Sequence, residues 1–171
     1  MDKKINDTVC EENLFSRIYN KYIQDITNFL YYKYGELLDP HDKAQESFVK
    51  LWEHCKDVAP DKAKSFLFTV ANNLMLNEIK HQKVVLKYRE IKPKDYTNED
   101  PEFILEKKQY LAKYQNALSK LSEAQRVVFL MSRVEGKKHQ EIAEILDLTV
   151  RAVRKRLYMA VENLRKEIDG I

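Results

Sequence analysis

The residues with chemical reach cluster at two places. Near the C-terminus stand Arg151, Arg154, Lys155 and Tyr158, with Arg156 and Arg165 adding charge. In the first half, "FLFTVANNLMLNEI" (66–79) sets Asn72, Asn73 and Asn77 in an otherwise apolar run. Long cationic side chains reach phosphates and the acceptor edge of guanine. Amides donate and accept together, which suits base edges better than phosphates. Both clusters suit contacts to a polyanion or to bases rather than bond-breaking chemistry. The sequence has no phosphate-binding G-x-x-x-x-G-K loop and no G-x-S-x-G nucleophile turn, so no enzyme is expected. His41, His54, His81 and His139 show no H-x-x-x-H spacing and flank no cysteine pair, so neither a metal nor a cofactor is expected.

The C-terminal cluster sits in a recognisable frame. "QEIAEILDLTVRAVRKRL" (140–157) has the helix-turn-helix pattern. Ala143 falls where two helices cross closely and a small residue is needed. Asp147, four later, falls at the turn, where a positive φ favours Gly but tolerates Asn and Asp. Thr149 can cap the second helix. Val153 packs back onto the first, and Ile142, Ile145, Leu146, Leu148 and Leu157 complete a small core. On the second helix Val150, Val153, Leu157, Val161, Leu164 and Ile168 form the buried stripe. Arg151, Arg154, Lys155 and Tyr158 lie largely off it. A major-groove helix needs this layout, with an apolar side that anchors and a cationic side that reads. A basic face alone would favour a packed helix with a solvated side; here it coincides with the spacing, the turn and the cap.

The asparagines separate on a helical wheel. At about 100° per residue, Thr69, Asn73, Asn77 and Lys80 fall within an arc of about 80°. The remainder is mostly apolar, with Phe66, Leu67, Val70, Ala71, Leu74, Met75, Leu76 and Ile79. Asn72 falls among Phe68, Met75 and Ile79, at a packed edge. Taken alone, the polar strip is satisfied by water, and the rest of the chain has to decide its role.

These residues need helices to hold them. Only 3 glycines and 4 prolines in 171 residues speak against a turn-rich β architecture, and Lys, Glu, Leu and Ala are common, so an all-α fold is expected. In a first block Leu14, Ile18, Tyr22, Ile26 and Leu30 recur every four residues, and Gly35 ends that helix. Asp39 caps the next, with Pro40 at its first position. Ala44, Phe48, Leu51, Trp52 and Cys55 share its inner face. "KDVAPDKAK" reads as a loop, and the asparagine helix runs on to about Gln82. Residues 83–101, with two prolines and dense charge, read as a linker. A second block opens near Glu102, where Phe103, Leu105, Tyr110, Leu111, Tyr114, Leu118 and Leu121 can line one long helix. "SEAQ" (122–125) is a capping box for a short helix carrying Val127, Val128, Phe129 and Met131, which stops at Gly136.

Charge divides along the same boundary. Residues 1–82 hold 11 Lys+Arg against 13 Asp+Glu, a net of −2; residues 83–171 hold 19 against 14, a net of +5. The second block is the better match for a polyanion. No apolar run approaches the ~20 residues of a membrane span, and "MDKKINDTVC" lacks the apolar core of a signal peptide. A cytoplasmic protein is expected. Cys10 and Cys55 form no C-x-x-C pair and are expected as free thiols in a reducing compartment, with Cys55 a small core residue.

Together the two blocks resemble the extracytoplasmic-function sigma factors of bacterial RNA polymerase, from about Leu14 to Lys166 except at the linker. The resemblance rests on "DKAQESFVKLWEH", similar to D-x-x-Q-E-x-F-x-x-L-W, and on "FLFTVANNLMLNEIK", similar to W-L-x-x-I-A-R-N-x-x-x-D. In the second block it rests on "LSEAQRVVFLMSRVEGKKHQEIAEILDLTVRAVRKRL". The ordered set is more specific than any one motif. It implies two helical domains on a flexible linker: region 2 over 1–82 and a region 4 helix-turn-helix over 102–171.

The resemblance also implies roles. Asp42, Gln45 and Glu46 fall in the helix that docks on the β′ clamp helices of core polymerase; region 4 meets the β flap. Asn73 and Asn77 match the helix that reads the −10 element, with Thr69 and Lys80 on their strip. The loop around Asp57–Lys64, with Asp57, Lys62 and Lys64, matches the segment that captures a flipped base. Arg154, Lys155 and Tyr158, with Arg151 nearby, match −35 contacts. The sequence departs from the pattern at three places: Asn72 stands for the usual Arg, Phe66 for the frequent Trp, and Lys138 for a serine cap. Lys137 and Lys138 then offer phosphate contacts. The implied protein is a monomeric initiation factor with promoter DNA and core polymerase as partners, restrained by an anti-sigma factor, without membrane insertion. The competing expectation is a stand-alone helix-turn-helix regulator with an N-terminal sensing or dimerisation domain.

Overall fold

The four-residue recurrence from Leu14 to Leu30 becomes helix α1 (Glu12–Tyr34) in the computed structural model, which describes residues 8–36, 38–81 and 101–168. Further helices are α2 (Pro40–Glu53), α3 (Ala63–His81), α4 (Pro101–Lys120), α5 (Glu123–Arg133), α6 (His139–Leu146) and α7 (Val150–Glu167). A 3-10 turn, Pro60–Lys62, precedes α3. The described residues contain no strand, so the fold is all-α. The chain separates into two compact units, Met1–Val85 and Leu86–Ile171. The linker expected at 83–101 lies outside the described residues, except that Pro101 opens α4.

In the first unit, helix boundaries follow local chemistry. Gly35 ends α1 at φ 80, ψ −166, a conformation open essentially only to glycine. Its N–H donates to the Tyr31 carbonyl at 2.8 Å. Asp39 starts α2 from a left-handed conformation, φ 45, which a short polar side chain tolerates. Its carboxylate accepts from the Asp42 N–H at 3.1 Å, and Pro40 follows at the first helical position. The core gathers Ile18, Ile26 and Leu30 of α1, Ala44, Phe48 and Leu51 of α2, and Leu67, Ala71 and Met75 of α3.

Two expectations about this unit are corrected. Trp52 is not a core residue: it is 47% exposed, and its ring meets Phe15 edge-on at 5.0 Å. Leu51 takes the inward position next to it, and Trp52 covers the rim. Cys10 and Cys55 are not free thiols: they form a disulfide, with Cα atoms 5.0 Å apart. The cause is tertiary. A strap ahead of α1 turns back, with the Glu11 N–H on the Thr8 carbonyl at 2.9 Å. Val9 enters the core fully buried, and Cys10 meets the residue just past α2. The two cysteines are 45 residues apart in sequence. Closing a loop of that length contributes about 4 kcal/mol in the chain-entropy picture.

In the second unit the capping box is present. Ser122 Oγ accepts from the Gln125 N–H, and Gln125 Oε1 accepts from the Ser122 N–H, each at 3.3 Å. Val127, Val128, Phe129, Leu130 and Met131 are buried. Arg126, a cation that the sequence pattern did not single out, is only 2% exposed. Its Nη1 donates to the Leu121 carbonyl at 3.0 Å, where α4 ends. A guanidinium there satisfies carbonyls left open at the helix end and complements the dipole. Tyr110 departs from the expected apolar lining of α4, being 51% exposed. Leu118 and Leu121 carry that lining, together with Ala117.

Removing the side chain of Leu67 opens a cavity where α3 meets α1 and α2. Leu67→Ala is expected to lower the first unit's stability by about 2–5 kcal/mol. In urea denaturation followed by Trp52 fluorescence, the midpoint should fall with little change in slope.

Candidate nucleic-acid interface

The helix-turn-helix is built by α6 and α7. Asp147 makes the turn at φ 54, ψ 49, and its N–H donates to the Ala143 carbonyl. The Leu148 N–H reaches that same carbonyl at 2.8 Å. Ala143 is 5% exposed, so only a small side chain fits at the crossing. Thr149 Oγ1 accepts from the Ala152 N–H at 3.1 Å and starts α7. Val153, Ala160 and Leu164 anchor α7 in the core, with Ile168 just beyond its end.

That anchorage turns the other side of α7 outward. Arg151, Arg154, Lys155 and Tyr158 are all exposed, Tyr158 by 65%. Met159 is exposed beside them, an apolar contact that the sequence pattern did not single out. Lys138, at the start of α6, is exposed too. Its ammonium cannot accept, so only half of a capping box forms there: Glu141 accepts from the Lys138 N–H at 2.6 Å. Lys137 differs, because it is partly buried and ion-paired with Glu135. Gly136, between them, adopts φ 66, which suits glycine.

On α3, Leu67, Ala71 and Met75 are fully buried. Thr69, Asn73, Asn77 and Lys80 are consequently all exposed. Leu76 is corrected: it is 41% exposed rather than packed. It lies one turn before Lys80, at the margin of the strip, and gives the strip an apolar flank. Asn72 is held instead. Its Oδ1 accepts from Lys33 Nζ at 2.7 Å and from the Tyr34 hydroxyl at 2.6 Å. An arginine at this position would confront the Lys33 ammonium, which gives the asparagine a physical reason.

The loop before α3 carries Asp57, exposed 3.9 Å from His54 Nδ1, and Lys62, exposed 3.8 Å from Asp61. Lys64 is half-buried on the first turn of α3. On α2, Asp42 and Gln45 are exposed and Glu46 is half-buried. Lys43 lies between the carboxylates, 3.8 Å from Asp42 and 3.4 Å from Glu46. Val49, 55% exposed, and Trp52 continue this face. At its end a hydrogen bond from Lys50, 2.8 Å long, holds the Glu53 carboxyl below its ordinary range.

Residues 18–84 match the model of sigma-70 region 2, and residues 111–164 match that of sigma-70 region 4. The chain belongs to the extracytoplasmic-function sigma factors. As such it is a transcription initiation factor, and a stand-alone helix-turn-helix regulator is not favoured, because the N-terminal unit is itself a sigma region. This sigma factor is 25% identical to the RNA polymerase sigma factor YlaC of Bacillus subtilis (strain 168), over 88% of this chain and 90% of that protein. It is 24% identical to the ECF RNA polymerase sigma factor SigW of the same organism, over 94% and 92%. Among solved structures its fold is similar to that of the Bartonella quintana sigma factor RpoE in complex with the anti-sigma factor NepR. The TM-score is 0.54 at 17% identity, over 91% of this chain and 97% of that one. In this sigma factor α2 and α3 fall within the region 2 match, and α5, α6 and α7 up to Leu164 within the region 4 match.

The contrast between neighbouring amides is measurable. Asn72→Leu leaves Lys33 and Tyr34 without their shared acceptor, and is expected to destabilise the first unit by about 1–3 kcal/mol. Asn73→Ala, on the exposed strip, should change stability by no more than about 0.5 kcal/mol. Urea denaturation of the two variants side by side checks this.

Proposed function

We propose that residues 1–82 dock on core polymerase and open the −10 element, while residues 102–171 bind the −35 element. One observation carries this reading. Each sigma region turns outward a helix face with the chemistry its DNA element requires: amides on α3, cations and a phenol on α7. Arg154 and Lys155, flanked by Arg151 and Tyr158, would enter the major groove, and Lys138 would contact phosphate. Lys137 can do so only by leaving Glu135. Thr69, Asn73, Asn77 and Lys80 would meet bases of the melting strand, with Leu76 available for stacking or insertion. Asp57, Lys62 and Lys64 would line the site of a flipped base. Flipping costs a few kcal/mol, offset by contacts with the pocket.

The α2 face mixes carboxylates with the apolar Val49 and Trp52, which suits docking on the clamp helices of the β′ subunit; region 4 would meet the β flap. The protein would act in the cytoplasm, where polymerase and promoters are. It would supply no chemistry of its own, since polymerase forms the phosphodiester bonds. An anti-sigma factor covering the exposed apolar residues on α2 and α7 is the natural restraint. The Bartonella quintana sigma factor, which shares the fold, was solved in complex with one.

In vitro transcription with sigma-free core polymerase and a promoter library tests the reading. Addition of this protein should start specific transcripts; none from any promoter would overturn it. Asn73→Ala should weaken promoter opening and spare core binding. Arg154→Ala should weaken −35 binding about tenfold or more and lower the slope of log affinity against log salt by about one. Equal loss of core binding in both variants would instead point to misfolding.

A further inference from the structure

The Cys10–Cys55 bridge sits oddly with a protein that works on polymerase and DNA. Thiols in that compartment are kept reduced, and disulfides found there are usually transient and redox-sensing. Both cysteines are partly exposed, so a small thiol or disulfide can reach them. The bridge also joins two consequential segments. On one side is the strap whose Val9 fills the core ahead of α1. On the other is the stretch from His54 to Lys62, which links the end of α2 to the start of α3. Its backbone bonds are all local: the His54 N–H to the Lys50 carbonyl at 3.1 Å, the Cys55 N–H to the Trp52 carbonyl at 3.2 Å, the Asp57 and Val58 N–H groups to the His54 carbonyl at 2.9 and 3.1 Å, the Lys62 N–H to the Ala59 carbonyl at 2.9 Å, and the Ala63 N–H to the Pro60 carbonyl. Lys56, Asp57, Ala59, Pro60, Asp61 and Lys62 are all exposed. Cys55 is where a covalent tether pins this loop to the body of the unit.

We infer that Cys10 and Cys55 form a reversible thiol–disulfide switch that sets the order of the 54–62 loop and, through it, the promoter-opening step. The oxidant is a low-molecular-weight disulfide, such as oxidised glutathione. The thiolate of one cysteine attacks a sulfur of that disulfide and expels one small thiolate, leaving a mixed disulfide. The second cysteine thiolate attacks the protein-side sulfur and expels the other. Two electrons pass from the protein to the small disulfide. The two protons lost by Cys10 and Cys55 end on the two small thiols. Reduction by excess small thiol runs the same steps backwards. In the dithiol form the described part of the strap keeps the burial of Val9 and its local turn, and the loop keeps the packing of Val58 on the core but loses its covalent tether. In the disulfide form the loop is pre-ordered to receive a base, so the oxidised protein is the more active one. The effect on opening rests on the role proposed above for Asp57, Lys62 and Lys64.

The experiment uses the full chain with core polymerase in buffers of reduced and oxidised glutathione, from strongly reducing to oxidising. Thiol alkylation followed by intact-mass measurement reads the state of the pair, and hydrogen exchange reads the loop. Transcription is compared on duplex promoter and on the same promoter pre-melted at the −10 element. The expected result is reversible interconversion within the glutathione range, at least tenfold slower exchange in residues 54–62 of the oxidised form, and several-fold more transcript from the duplex. Output from the pre-melted template should be the same in both states. Cys10→Ser/Cys55→Ser should stay at the reduced level in every buffer. A pair that remains bridged, or remains reduced, across the whole range overturns the switch. A pair that cycles with no change in duplex transcription also overturns it. Lys62→Ala and Lys64→Ala then tell which premise failed. If they impair opening, the loop acts on DNA and only the coupling is wrong; if they do not, the role given to the loop falls as well.

Discussion

Leu67, Ala71 and Met75 recur every four residues along α3, and all three are fully buried. That single packing constraint fixes the rotation of the helix about its axis. With one edge committed to α1 and α2, the arc holding Thr69, Asn73, Asn77 and Lys80 can only face outward. The second unit obeys the same logic. Val153, Ala160 and Leu164 commit one side of α7, and the cationic side follows. In both units, burial is the driving force and the candidate DNA-facing surface is its geometrical remainder. This is why residues that contact no base in the free protein still determine which residues can.

Polar groups inside each unit refine what burial sets up. Asn72 ties α3 to the end of α1 through Lys33 and Tyr34, and so opposes sliding of the helix along its own axis. Arg126 satisfies a carbonyl at the end of α4, and Gln125, a member of the capping box, also accepts from Asn163 of α7 at 3.3 Å. Lys120 reaches Glu167 at 2.6 Å. Exposed pairs of this last kind contribute little. The buried guanidinium contributes more, because a carbonyl left open there would carry its full desolvation cost. Among the described residues, positive φ at Gly35, Asp39, Gly136 and Asp147 marks four tight junctions. Two of them use aspartate where glycine would be easier, and Asp39 also supplies a cap.

A two-unit architecture also explains how modest contacts can be specific. In the proposed function each DNA element would meet one short helix face, so each contact would be weak alone. Two weak contacts on one chain reinforce each other through effective concentration, provided both can engage together. Opposite net charge in the two halves, −2 and +5, would favour DNA contact by the second half over the first. The acidic half would then engage DNA chiefly when polymerase presents it.

Much of this was legible in the sequence because helical periodicity and caps are local. The recurrence from Leu14 to Leu30, the Asp39–Pro40 start, the Ser122–Gln125 box and the Ala143–Asp147–Thr149 turn each depend on residues within a few positions of one another. The chemistry of the two clusters was legible for the same reason. Tertiary structure alone decided the rest. Trp52 and Tyr110 carry apolar rings at core spacing, yet their neighbours filled the inward positions first. Leu76 sat on an apolar-looking helix, but the rotation chosen by Leu67, Ala71 and Met75 put it outside. Arg126 is buried because the end of α4 comes to rest beside it. The Cys10–Cys55 bridge spans 45 positions and depends on a strap that turns back over the bundle, a contact that no local pattern encodes. Local sequence sets which helices form and what their faces can do. Which face is left for a partner, and which distant side chains meet, follows from the competition of all the apolar groups for one small interior.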